Sequence, residues 1–190
     1  MKLAIFDADM TLWSLETNKL DAAPKLVEVS SKPSLGSKII REAQTTEEGM
    51  ILMSGDEPVR MFEGANAALK EINRMQGEGI EIRAAVASRT DKPEWAKICM
   101  QYMVLDDGTS LASCFEDRIE ISCECKDGHI TRLHEQTGIP FREMVFFDNE
   151  KHNIQSVSEA FPEVRCYLTP DGMTKEAWEK AKADLGVGSS

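Results

Sequence analysis

Short apolar runs, each stopped by an acid or a hydroxyl residue, alternate along this chain with stretches of helical period. Residues 2–6 (KLAIF) are a strand-length apolar run ended by Asp7. Ala65, Ala68, Leu69, Ile72 and Met75 form one stripe and predict a helix over 64–76, closed by Gly77 and Gly79. Residues 80–87 (IEIRAAVA) read as a strand that stops at Ser88. Pro93 suits the first turn of a helix running to about Leu105. Residues 118–123 alternate as an edge strand does, and Asp127 is placed to cap a helix that reaches Gly138. Residues 143–147 (EMVFF) are another apolar run, ended by Asp148. A helix to about Ala160, a strand over 164–168 and a terminal helix over 173–184 follow, and the closing GVGSS is expected to fray.

Residues 14–63 are the least regular part. Alternation over 25–30 (KLVEVS) and the run 50–53 (MILM) predict a β-hairpin or flap with a polar, mobile tip around 30–49; the piece from Ile39 to Glu48 reads equally as a short helix. The rest alternates strand with helix. That order predicts an α/β, Rossmann-like fold: a parallel sheet with helices on both faces and a flap inserted after the first strand. In such sheets ligands sit beyond the carboxyl ends of the strands. Asp7, Ser88 and Asp148 each stand at such an end, so three distant segments are expected to meet at one crevice.

A length of 190 residues fits a single domain over 1–190. The apolar fraction of 42% suffices for a core, and no run is long enough to span a membrane. The first apolar run ends too soon for a secretory signal, and five scattered cysteines (Cys99, Cys114, Cys123, Cys125, Cys166) are no disulfide framework, so a cytoplasmic protein is expected. The formal charge of −11 argues against nucleic acid and anionic membrane surfaces as partners.

Residues 6–13 read FDADMTLW. Two carboxylates two apart at a strand end point the same way while the chain stays extended, and the second swings above the first once the strand opens into a loop. One then serves as nucleophile and the other as acid/base, provided their environments hold different protonation states. Thr11 offers a hydroxyl to fix the loop, and Trp13 a large wall.

With AVASRT at 85–90 and TGIPFREMVFFDNE at 137–150, this motif resembles those of haloacid dehalogenase superfamily phosphatases. The likeness is greatest to the capless, magnesium-dependent phosphatase-one branch, related to acid phosphatase-like proteins. It covers residues 2–13 and roughly 57–168, leaving 30–50 as an insert. It implies Mg²⁺-dependent hydrolysis of phosphomonoesters through an aspartyl-phosphate, with Asp7 as nucleophile and Asp9 as general acid/base. It implies that Ser88, Arg89 and Lys126 bind the phosphate, and that Asp7, the Asp9 carbonyl and Asp148 hold the metal. Asn149 stands where the family commonly has a second acid, leaving a carbonyl oxygen but no charge; Glu150 could then take a supporting role, as Asn153 does for the loop. The implied substrate is a phosphorylated small molecule or phosphoprotein, of the phosphotyrosine or sugar-phosphate type.

Blander readings stand beside these. Arg89 is also read as a surface charge and Trp13 as packing. Cys123 and Cys125 are read as strand thiols on one face rather than a metal clip, His129, His134 and His152 as exposed or capping, and the ten Met as core filler. The competing functions are a phospho-acceptor signalling module and a non-hydrolytic phosphate-binding module. A receiver-type acceptor would need adjacent acids after its first strand, whereas Asp7 and Asp9 are separated by one residue.

Overall fold

The computed structural model describes residues 1–19 and 21–184. Strand β1 (Leu3–Phe6) is followed by the irregular insert: β2 (Lys25–Glu28), α1 (Ser37–Glu42), β3 (Met50–Ser54) and β4 (Glu57–Pro58). Then come α2 (Glu63–Gly77), β5 (Arg83–Arg89), α3 (Pro93–Tyr102), α4 (Leu111–Phe115) and β6 (Ile119–Ser122). The chain continues with α5 (Lys126–Thr137), β7 (Met144–Asp148), α6 (Lys151–Ala160), β8 (Arg165–Leu168) and α7 (Lys175–Asp184). The expected fraying of the closing GVGSS falls on 186–190, outside the described residues.

Five strands form one parallel sheet in the order β6-β5-β1-β7-β8. In the centre, Phe6 pairs with Val86 on one side and Phe147 on the other. Because side chains alternate along a strand, the sheet has two separate apolar faces. Ala4, Phe6, Ala84, Val86, Val145 and Phe147 face α2, α3, α4 and α7. Leu3, Ile5, Ala85, Ala87, Met144 and Phe146 face α5 and α6. The α/β class with helices on both faces is as expected.

The same alternation fixes where the functional side chains go. Asp7 continues the Leu3–Ile5 row, Arg89 the Ala85–Ala87 row and Asp148 the Met144–Phe146 row. All three rows belong to the face that α5 covers, and Lys126 is the first residue of α5. A buried ammonium is thus delivered to the carboxyl ends of the central strands.

The insert forms its own three-stranded antiparallel sheet, β2-β3-β4. Its tip is not a bare polar loop. Ala43, Ile51 and Met53 are buried there, with Val27, Val29, Leu35 and Ile40 packed on them. Helix α1 starts at Ser37 and ends at Glu42, earlier than Ile39–Glu48, because Ile40 and Ala43 turn toward β3.

Other boundaries also differ. Strand β5 runs from Arg83 through Ser88 to Arg89, so both lie within the strand, and Ile80 is exposed. Asp127 does not cap α5; the N-cap is Cys125, and the Asp127 carboxylate instead accepts the Ser156 hydroxyl at 3.0 Å, tying α5 to α6. Helix α4 was not expected from the sequence.

The C-terminal segment closes over the first motif. The Met173 N–H donates to the Thr11 carbonyl at 3.0 Å. Gly64 in α2 lies so close to this segment that a Cβ there would meet the Thr174 backbone carbonyl carbon at 2.3 Å. No helix among the described residues is long and apolar enough to cross a membrane.

Candidate active site

At the carboxyl ends of β1, β5 and β7 lies a cleft of about 500 Å³. Asp7, Asp9, Arg89, Lys126, Asn149 and Asn153 line it. Ser88, Thr11 and Asp148 are buried and stand outside this wall.

The centre is a buried triad. The Lys126 ammonium donates to Asp7 Oδ1, lies 3.2 Å from Asp148 Oδ2 and donates to the Ala87 carbonyl at 2.6 Å. One cation thus faces two carboxylates. Burial pushes the Asp7 carboxyl up from 3.8 to about 7; Lys126 opposes the rise and Asp148 adds to it. Burial would lower the Lys126 pKa, but Asp7 and Asp148 together hold it above the usual lysine value. Asp148 is fixed in turn by the Glu150 N–H at 2.7 Å and by the Asn153 amide at 3.2 and 3.1 Å.

Asp9 is held separately. Its Oδ1 accepts the Trp13 indole N–H at 3.0 Å, and its Oδ2 accepts the Thr17 N–H and hydroxyl, both at 2.6 Å. Burial raises its pKa although these donors pull the other way. The loop that builds this contact is tight, with Met10 and Leu15 in the left-handed region at φ 58° and 88°. Such conformations cost about 1–3 kcal/mol each and persist where surrounding structure enforces them. Trp13 is fully buried, so it is a wall that also orients Asp9.

The Thr17 hydroxyl lies 3.2 Å from that of Thr90, linking the loop after Trp13 to the turn after β5. Neither threonine was singled out from the sequence, since Thr17 falls in the irregular stretch and no periodicity marks it. Replacing Thr17 by Val keeps the shape and backbone donor but deletes the hydroxyl. The expected outcome is a roughly 10-fold fall in turnover, about one charge-assisted hydrogen bond, with the alkaline limb of the pH–rate profile displaced upward because Asp9 has lost a donor to its ionised form.

His129 corrects the sequence reading. It is fully buried, at hydrogen-bond distance (2.9 Å) from the Ser122 hydroxyl, and its pKa falls to about 4 through burial and the nearby Lys126 and Arg132 charges. It lies on the inward stripe Lys126, His129, Ile130, Leu133 of α5, which two polar residue types concealed. His152 is exposed beside Glu150, and His134 is hydrogen-bonded through Nδ1 to the Ile139 carbonyl at 2.7 Å.

No group of three or more His, Cys, Asp or Glu side chains with metal-binding geometry occurs among the described residues. Two carboxylates, Asp7 and Asp148, do converge on one ammonium, and the Asp9 carboxylate is turned away to Trp13 and Thr17. The remaining Asp9 group is its carbonyl. All three are oxygen donors, the kind Mg²⁺ takes when waters and substrate oxygens complete its shell.

A buried carboxylate paired with a buried lysine, and a second carboxylate held apart from it, stand together at the strand ends of a haloacid dehalogenase-type fold. The chain belongs to the Acid Phosphatase family, whose profile matches residues 1–184, and is a phosphatase. It is 32% identical over 190 residues to human "Magnesium-dependent phosphatase 1", covering 97% of this chain and 90% of that protein. Among solved structures it is similar to a predicted HAD-like family hydrolase from Porphyromonas gingivalis, with TM-score 0.54, 14% identity and 97% of both chains covered. It is also similar to the N-terminal part of a Bacteroides fragilis protein containing a phosphatase domain complexed with Mg, with TM-score 0.55 and 16% identity, over 98% of this chain and 40% of that one. These two likenesses concern the fold.

Proposed function

We propose that this phosphatase is a Mg²⁺-dependent phosphomonoesterase acting through an aspartyl-phosphate on Asp7. The observation that carries the reading is the buried Lys126 ammonium bound to both Asp7 and Asp148. An ammonium there offsets the repulsion between a carboxylate nucleophile and an anionic phosphate. Asp7 attacks phosphorus and displaces the leaving oxygen, which takes a proton from Asp9. The raised Asp9 pKa favours the proton-bearing form that this step needs. Asp9 then accepts a proton from the water that hydrolyses the acyl phosphate.

Ser88 and Arg89 end the strand beside Asp7 and are assigned to phosphoryl oxygens. The hydroxyl of Thr11, expected to fix the first-motif loop, has no hydrogen-bond partner among the described residues and is buried outside the cleft wall; the loop is tied instead through the Thr11 carbonyl, which accepts the Met173 N–H. Asp7, Asp148 and the Asp9 carbonyl would hold Mg²⁺, with Asn149 at the rim and Asn153 behind Asp148. Bound there, the cation supplies the positive charge that neutralises phosphoryl oxygens. The magnesium in the human relative's name supports this choice of metal. Ionised Asp7 and Asp148 sum to −2 and Lys126 returns one, so without the dication this triad carries a net negative charge that disfavours phosphate. Among the described residues no separate cap domain covers the cleft, which suits a phosphotyrosine protein or a bulky sugar phosphate. Five free thiols support a cytoplasmic setting.

The test is p-nitrophenyl phosphate turnover with Mg²⁺ and with EDTA. Activity is expected only with the metal. Equal turnover in EDTA sinks the metal-dependent reading, and stable labelling by acetyl phosphate without turnover favours a phospho-acceptor module instead.

A further inference from the structure

We propose that a second cavity, between helix α1 of the insert and the segment Arg60–Phe62, is a binding site for a small organic anion: a carboxylate or phosphate carried on a flat apolar body. It is separate from the phosphate cleft, since the two share none of the described lining residues. Its volume of about 670 Å³ falls within the range of small-molecule sites.

The polar groups of the lining point to an anion. Arg60 Nε is buried and has no hydrogen-bond partner among the described residues, although Nη1 of the same side chain lies 3.3 Å from Glu42. A buried donor without an acceptor is destabilising, and a ligand oxygen removes that penalty. The carboxylates of the lining are already engaged: Glu42 by Arg60 and Lys38, Glu63 by Lys175, and Asp106 by Lys70 at 2.7 Å. Arg41 has no carboxylate partner among the described residues; its Nε donates to the Ser37 carbonyl of its own helix at 3.3 Å. Unspent positive charge thus collects at one place in a chain whose net charge is −11. A guanidinium presents planar, forked donors that match the oxygens of a carboxylate or phosphate.

The apolar part of the lining calls for a body behind that head group. Met61, Phe62 and Val104 supply it, each half-buried. The Phe62 ring is confined by Gly172, where a Cβ would meet it at 2.4 Å. The segment Arg60–Phe62 is also stitched to the first-motif loop. The Ser14 N–H donates to the Arg60 carbonyl at 2.7 Å, the Arg60 N–H to the Ser14 hydroxyl at 3.1 Å, and the Phe62 N–H to the Leu12 carbonyl at 2.9 Å. This part of the lining is ordered before a ligand arrives, so little binding energy goes into fixing it.

The experiment titrates Mg²⁺-loaded wild type, Arg41→Gln and Arg60→Gln with 2-naphthoate, 2-naphthylphosphonate and the neutral 2-naphthamide, followed by backbone amide NMR shifts. Both anions are expected to bind saturably at about 1 mM or below and to move the amides of Arg60, Met61 and Asn66; the tighter of the two identifies the head group. The neutral analogue is expected to bind at least about 10-fold more weakly, and Arg60→Gln to weaken both anions by a similar factor. Arg41 is exposed, so its loss is expected to cost about 3-fold. Should Arg60→Gln fail to fold, the exposed Arg41→Gln decides alone. The amides of Lys126 and Asp148 mark the phosphate cleft and are expected to stay in place with 2-naphthoate. None of these readouts needs turnover, so they stand apart from the phosphatase reading. The proposal is overturned if neither anion saturates, if 2-naphthamide binds as tightly as 2-naphthoate, if 2-naphthoate moves Lys126 and Asp148 in place of Arg60 and Met61, or if the folded arginine variants bind it as wild type does.

Discussion

Replacing Asp7 by Asn is expected to lower phosphomonoester turnover by at least about 10³-fold, or about 4 kcal/mol of transition-state stabilisation, with the fold retained. The amide keeps the size of the side chain but cannot form the acyl phosphate. Retention of the fold follows from the charge of the triad. One ammonium faces two carboxylates, and Asp7→Asn turns a buried −1 cluster into a neutral pair that still holds the Ala87 carbonyl. The pH dependence gives an independent check. Asp7 in the folded chain titrates at about 7, above its ordinary 3.8, so between those values the folded state keeps a proton that the unfolded state has lost. Stability of the metal-free protein therefore falls as pH rises from about 4 to about 7. Asp7→Asn lacks that contribution, so its melting temperature is expected to fall less over the same window. Turnover near the wild-type rate would remove Asp7 as nucleophile, and an equally steep pH slope would remove the titration argument.

How far the sequence revealed this site depends on what each residue's neighbours signal. Asp7 and Asp148 were legible because each closes an apolar strand, and a parallel sheet brings such ends together; Ser88 was read as ending its strand too, but β5 runs on to Arg89 and leaves Ser88 buried outside the cleft wall. Lys126 was placed by resemblance; its burial became clear only when α5 was seen to pack on the Leu3–Ile5 face. Thr17 was illegible, since its role depends on two left-handed residues, Met10 and Leu15, that fold the loop back over Asp9. Neither is a glycine, so no composition signal marks that turn. His129 was misjudged because a polar residue was taken to face solvent, whereas α5 presents it inward between Lys126 and Ile130. The tip of the insert was taken as polar for a related reason: its core uses scattered apolar residues, Leu35, Ile40 and Ala43, that pair with β2 and β3 across the hairpin rather than along the sequence.

Replacing Lys126 by Met is expected to damage both activity and stability, the opposite balance to Asp7→Asn. Methionine matches the length of the stem but leaves Asp7 and Asp148 buried side by side with no counter-charge. Leaving a buried charge uncompensated costs about 3–5 kcal/mol, a large share of a small domain's stability. The cluster relieves part of this by taking up a proton, so the melting temperature of the metal-free variant is expected to rise as pH is lowered. A dication bound by the same two carboxylates replaces the missing charge, and binding to the folded state alone stabilises it. Mg²⁺ should therefore raise the melting temperature of Lys126→Met by more than it raises that of wild type. Turnover stays low even in saturating Mg²⁺, by about 10²–10³-fold, because the cation cannot also take the place of the ammonium beside the transferring phosphoryl group. If Mg²⁺ stabilises wild type and variant equally, Asp7 and Asp148 are not its ligands. If turnover recovers fully with the metal, Lys126 acts only in holding the two carboxylates, and the charge it lends to the transition state must come from Arg89.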